Sequence, residues 1–133
     1  MSLSHEHARG LLARARDDLY VVRRLAAEAD APEWVLGFHA QQCVEKALKA
    51  VLSGAGMTYP RTHNLVLLVE LLRQAAHSLP PDADVFGCLV PFAVAMRYED
   101  VLDEEPPHVA PEWFEPILAR TLEWAEHCLP GED

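Results

Sequence analysis

The sequence predicts an all-α fold, an up-and-down bundle of four to five helices. Three observations predict it. Apolar residues recur at spacings of three and four in each long segment, and no stretch alternates apolar and polar as a strand does. Proline and glycine punctuate the chain at Pro32, Gly54 to Gly56 and Pro80-Pro81, between those segments. Finally, Phe38 to Leu52 is apolar on two flanks, as befits a helix at the centre of a bundle. The 133 residues, half of them apolar, are expected to form one domain over 1–133.

The first helix is expected from about Glu6 to Asp30, with Leu12, Ala15, Leu19, Val22, Ala26 and Ala29 as a heptad-like seam. Arg9, Arg16 and Arg23 repeat every seven residues on another face. That is either a solvated face or a basic stripe turned toward a phosphate or an acidic partner. Asp30-Ala31-Pro32 ends this helix and starts the next, because proline disfavours helical geometry in the residue before it and suits a first turn.

The second helix is expected from about Pro32 to Ser53, with Gly54-Ala55-Gly56 supplying a left-handed cap. Leu36, Ala40, Cys43, Ala47 and Val51 take one side, and Trp34, Phe38, Glu45 and Leu52 the other. His39, Gln42, Lys46 and Lys49 form a narrow polar wedge between them. Polar groups this close to a core need partners. Glu45 and Lys49 stand at i, i+4 in the favoured order, so they can pair.

Met57 to Thr62 reads as a loop. The third helix begins between Thr62 and Asn64, carries Leu65, Leu68, Val69, Leu72 and Ala76, and closes at Leu79-Pro80-Pro81. A fourth, capped by Asp82 or Asp84, extends to about Tyr98, with Phe86, Leu89, Val90, Ala93 and Met96 as core candidates. Pro91 inside it demands a kink or a fresh start. Glu99 to His108 reads as an acidic loop. The last helix runs from about Pro111 to Leu129. It sets Trp113, Ile117, Trp124 and Cys128 on one side, and Phe114, Leu118, Leu122, Ala125 and Leu129 on another.

Composition narrows function. A formal net charge of −10 argues against a sequence-blind DNA coat. No apolar run approaches the ~18–20 residues of a membrane span, and MSLSHEHARG has no signal-peptide core, so a cytoplasmic protein is expected. Cys43, Cys88 and Cys128 are odd in number, lack CxxC spacing and lie in apolar contexts; buried free thiols are expected. Acidic residues gather at Glu99 to Glu105 and Glu126 to Asp133, basic ones in the first half. That asymmetry could guide a partner or draw two copies together.

The seven histidines form no HExxH, and Glu-x-x-His does not recur on two helices, so no metal and no cofactor is expected. There is no nucleophile elbow and no phosphate loop. Two clusters remain. Arg61, His63 and Asn64 sit at a helix start, where they either cap the helix or hold an anion. Arg97-Tyr98 sits at a helix end, where the arginine either complements the dipole or grips a phosphate and base.

AQQCVEKALKAVL, then THNL, then AMRY, in that order, resemble the HEPN domain family from about Ala15 to Tyr98. The resemblance implies a bundle of four or five helices, usually a homodimer, commonly found with a minimal nucleotidyltransferase and in some cases within toxin–antitoxin modules. Several HEPN branches are metal-independent ribonucleases that use an arginine and a histidine a few residues apart; others bind nucleotides or only partners. Here Arg97 stands in the arginine's place, but Leu102, Asp103 and Glu104 occupy the histidine's, and His108 comes eleven residues after Arg97. Arg120 and His127 have a comparable spacing but lie in the last helix, outside the motif region. The expectation is therefore a non-catalytic HEPN homodimer that binds a nucleotidyltransferase partner or a nucleotide. Arg97, Tyr98, Glu45, Lys46, Lys49, Arg61 and His63 are its candidate binding residues. The rivals are a ribonuclease acting on RNA through Arg97, His63, Arg120 or His127, and a purely structural interaction module.

Overall fold

The computed structural model describes residues 3–97 and 108–129, with the backbone alone for 94–97. Five α-helices follow in order: α1 (Leu3–Ala26), α2 (Glu33–Gly54), α3 (Leu65–Gln74), α4 (Val90–Arg97) and α5 (Pro111–Cys128). A 3₁₀ helix over Ala83–Cys88 leads into α4, and no strand occurs among the described residues.

The segment apolar on two flanks is the axis of the fold: α1, α3, α4 and α5 all pack on α2. Leu36, Ala40, Cys43, Val44, Ala47, Leu48, Val51 and Leu52 are all buried in it. The α1 seam Leu12, Ala15, Leu19 and Val22 closes one side, and Phe114, Ile117, Leu118, Leu122 and Ala125 of α5 another. Each fully buried leucine contributes on the order of 2 kcal/mol. The Ser53 hydroxyl donates to the Ser4 carbonyl at 3.1 Å, and Asp18 meets Lys46, so α1 runs antiparallel to α2. On α1's other side Arg9 and Arg16 reach Glu126 while Arg23 reaches Glu115, which makes α5 antiparallel to α1.

Local chemistry sets the ends. Gly56, at φ 74°, caps α2, and the Met57 N–H donates to the Leu52 carbonyl at 2.9 Å. At the start of α3 the N–H groups of Val66 and Leu67 donate to the Asn64 side-chain oxygen at 3.0 and 3.3 Å. The end of α3 repeats the α2 pattern without a glycine. Ala76 takes φ 56°, and the His77 N–H donates to the Leu72 carbonyl at 3.0 Å. Gly37 has a packing role, since a Cβ there would lie 2.2 to 2.4 Å from ring atoms of Phe92, which is buried. Its bare backbone lets α4 reach α2.

Several expectations need correction. The first helix spans Leu3–Ala26, so Ala29 lies outside it and is exposed; the chain uses 27–32 to reverse, with turn bonds from Glu28 N–H to Leu25 and from Ala31 N–H to Glu28. The fourth segment is two elements, a 3₁₀ helix and α4 restarting at Val90, with Pro91 in the first turn where its missing N–H costs nothing. Phe92, absent from the core candidates, is 1 % exposed. Ala76 is exposed, past the end of α3. The three cysteines are free, but Cys88 is exposed and Cys128 half-buried; Cys43 alone is buried. Trp34, assigned to an apolar flank, is exposed. The Arg9, Arg16 and Arg23 stripe faces the carboxylates of α5, an acidic partner within the same chain. The Met96 side chain, Tyr98 and Glu99 to Pro107 lie outside the described residues.

Candidate functional site

The polar wedge of α2 is built around two buried carboxylates, Asp18 at 6 % and Glu45 at 5 % exposure. Asp18 projects from α1 against the wedge. One oxygen meets His39 Nδ1 at 3.0 Å and the other accepts from Lys46 Nζ at 2.6 Å. One turn along, Glu45 accepts from Lys49 Nζ at 3.0 Å, from Gln41 Nε2 at 3.0 Å and from His63 Nδ1 at 2.7 Å. The same Gln41 amide donates to the His63 carbonyl at 3.0 Å, and Gln42 donates to the Gln41 oxygen at 2.7 Å. Lys49 also lies over the Tyr59 ring, 5.7 Å from its centroid, and the Tyr59 hydroxyl is 3.4 Å from His7 Nε2. Thus α1, α2 and the loop ahead of α3 are tied together through one network.

Buried charges are tolerated only when paired and hydrogen-bonded. For Glu45, burial is the strongest single influence and raises the carboxyl. The hydrogen bonds from Gln41, His63 and Lys49, with the charge of Lys49, outweigh it and hold the group below its ordinary 4.5. Burial, and then the negative charge of Glu45, raise the Tyr59 phenol above its ordinary value. The neighbouring Cys43 thiol is pushed far up by burial and then by Asp18, with Lys46 opposing in part. It is not a nucleophile.

The structure brings Glu45, Lys49 and His63 together and sets Lys46 in the adjacent carboxylate's pair. The Glu45–Lys49 pair read from the spacing is present, while His63 does not cap α3; Asn64 does so alone, and His63 locks onto Glu45. Arg61 is exposed on the loop, two residues before His63. Arg97 ends α4, whose Phe92 docks at Gly37, twelve residues and about 18 Å of helix rise from Lys49. Arg120 and His127 line a separate groove, where the Arg120 guanidinium is held by both oxygens of Asp82 at 2.9 and 3.1 Å. Among the described residues no group of three His, Cys, Asp or Glu has metal-site geometry, and no helix is long and apolar enough to cross a membrane.

Tyr59 belongs to the cluster Tyr59 to Leu65 that the sequence marks out, but Asp18, Gln41 and His7 were not singled out. Asp18 had a usable signal: it sits seven residues from both Leu11 and Leu25, a lone carboxylate in an otherwise apolar column of α1. Gln41 also had a signal, since it stands at i, i+4 to Glu45, whereas His7 joins through Tyr59, 52 residues away.

The sequence that builds this arrangement matches a recognised domain: a family model of the HEPN domain covers residues 8–130. This chain belongs to the HEPN domain family. It is also similar to a Methanocaldococcus jannaschii protein named "Putative toxin MJ1304". The two are 29% identical over 127 residues, covering 93% of this chain and 80% of that protein. No solved structure matches it. In this HEPN chain the signature segment therefore has an internal use: Gln41 and Glu45 fasten the α2–α3 loop to the central helix, and Lys46 fastens α1.

Proposed function

We propose that this HEPN protein is a non-catalytic homodimer that acts by binding a minimal nucleotidyltransferase, as one half of a toxin–antitoxin pair. One observation carries the non-catalytic part: the wedge cations are already spent within the fold. Lys46 is paired with Asp18, and Lys49 and His63 with Glu45. Ribonuclease chemistry needs a cation on the phosphate and a free acid or base beside the 2′-hydroxyl. The same neutralisation favours a protein partner over a nucleotide, because no uncompensated ammonium remains on the wedge for a phosphate. The test is affinity capture of the tagged chain from its native cell, with its molar mass in solution measured alongside. Recovery of a nucleotidyltransferase with a dimeric mass is the expected result. A monomer without that partner overturns the reading.

A second reading is a ribonuclease toxin; the name of the Methanocaldococcus protein supports its toxin part alone. It predicts RNA cleavage by the purified chain that is abolished by Arg97→Ala, His63→Ala or His127→Ala. Cleavage in the wild type alone would replace the first reading by this one.

A further inference from the structure

We propose that the groove between α5 and the turn at 78–82 binds an arginine side chain of a protein partner. The groove offers about 340 Å³ and is lined by Pro81, Arg120, Glu123, Trp124 and His127. That volume is at the lower end of ligand sites, enough for one long side chain rather than a large cofactor.

Its walls are fixed by contacts around Trp124 and Arg120. The Trp124 indole N–H donates to Ser78 Oγ at 3.2 Å, and the His77 ring meets Trp124 edge-on with centroids 6.4 Å apart. Two nitrogens of Arg120 are held by the two oxygens of Asp82, so that arginine and aspartate cancel each other's charge. Glu123 has no hydrogen bond or ion pair among the described residues, and neither does His127. Among the described residues, the groove's uncompensated charge is thus the Glu123 carboxylate, next in the chain to the Trp124 indole.

An indole beside a free carboxylate is a cation receptor. A guanidinium suits it better than an ammonium, because it is planar, stacks on an aromatic and offers a fork that matches a carboxylate. The four-atom stem of such a side chain finds apolar surface on Pro81 and Trp124. The formal charge of −10 on the whole chain draws a basic partner toward the site. This holds whether or not that partner is a nucleotidyltransferase.

The test uses the full chain labelled with ¹⁵N. N-acetyl-arginine amide is titrated in while the Trp124 indole N–H signal, assigned with Trp124→Phe, is followed. A saturable shift is expected, weakened about tenfold by Glu123→Gln, the scale of one charge-assisted hydrogen bond. N-acetyl-norleucine amide and spermidine should produce much weaker shifts. The proposal is overturned by the absence of saturation, by an equal response to norleucine amide (an apolar groove only), by a stronger response to spermidine (a free polyamine site), or by indifference to Glu123→Gln in a variant that keeps the wild-type circular dichroism.

Discussion

Glu45 is the residue on which the polar interior turns. Its two oxygens hold three donors from two elements, so its removal strands a lysine, a histidine and an amide at once. Glu45→Gln should lower unfolding stability at pH 7 by about 2–3 kcal/mol, the scale of breaking a buried ion pair while one partner can still reach water. The pH dependence has a definite sign. A carboxyl held below its ordinary value in the folded state adds stability above the unfolded pKa of 4.5, and that stability is lost as pH falls through the lower folded value. Urea titrations of wild type and Glu45→Gln should therefore differ most near neutrality and converge below pH 4.5. A gap that does not narrow at all as pH falls below 4.5 would place the effect in shape rather than charge.

Two helix ends and one crossing carry the predictions at the level of the elements. α2 and α3 close with the same left-handed motif, but α2 spends a glycine on it and α3 an alanine. A non-glycine residue at positive φ is strained, so Ala76→Gly should raise stability by about 0.5–1 kcal/mol, read as a higher thermal midpoint. Gly37→Ala should do the reverse. Its new methyl meets the Phe92 ring inside a buried contact, and overpacking of this kind costs about 1–3 kcal/mol. The change should appear as a lower urea midpoint. The helices themselves were largely legible, since their periodicity and caps are local properties: the two-flanked α2, the glycine cap at Gly56 and the cap near Asn64 all follow from residues a few positions apart. The close approach at Gly37 was not, because it depends on a ring 55 residues away. The division of the fourth segment at Leu89 was half legible, since Pro91 announces a break but not on which side of it the helix resumes.

On the scale of the whole molecule, everything meets at α2, so the chain should open as one unit. Cys43 reports on that opening: it is 0 % exposed at the centre of α2, while Cys88 is exposed. An exposed-thiol reagent at neutral pH should label Cys88 promptly and Cys43 only at the rate or population of global unfolding, accelerating with urea. Labelling of Cys43 faster than loss of helical circular dichroism would reveal a partial opening of α1 or α5. The site was less legible than the fold for a reason of the same scale. A sequence displays the wedge but not the carboxylate that answers it, because Asp18 belongs to another helix, 28 residues from Lys46. The basic stripe of α1 likewise found its answer in α5 of the same chain.

The cap of α2 has one more consequence. Against Gly54 lie Leu129, from just beyond α5, and Ala8, from the first turns of α1. The two ends of the described bundle therefore emerge side by side, at the pole opposite the reversal between α1 and α2. A short flexible bridge could join them, and the chain could be reopened at that reversal near Asp30, giving a circularly permuted protein with the same core. By the same geometry, a reporter fused beside Leu129 would sit near the α2 cap, away from the pole where the His108 ring meets Glu33.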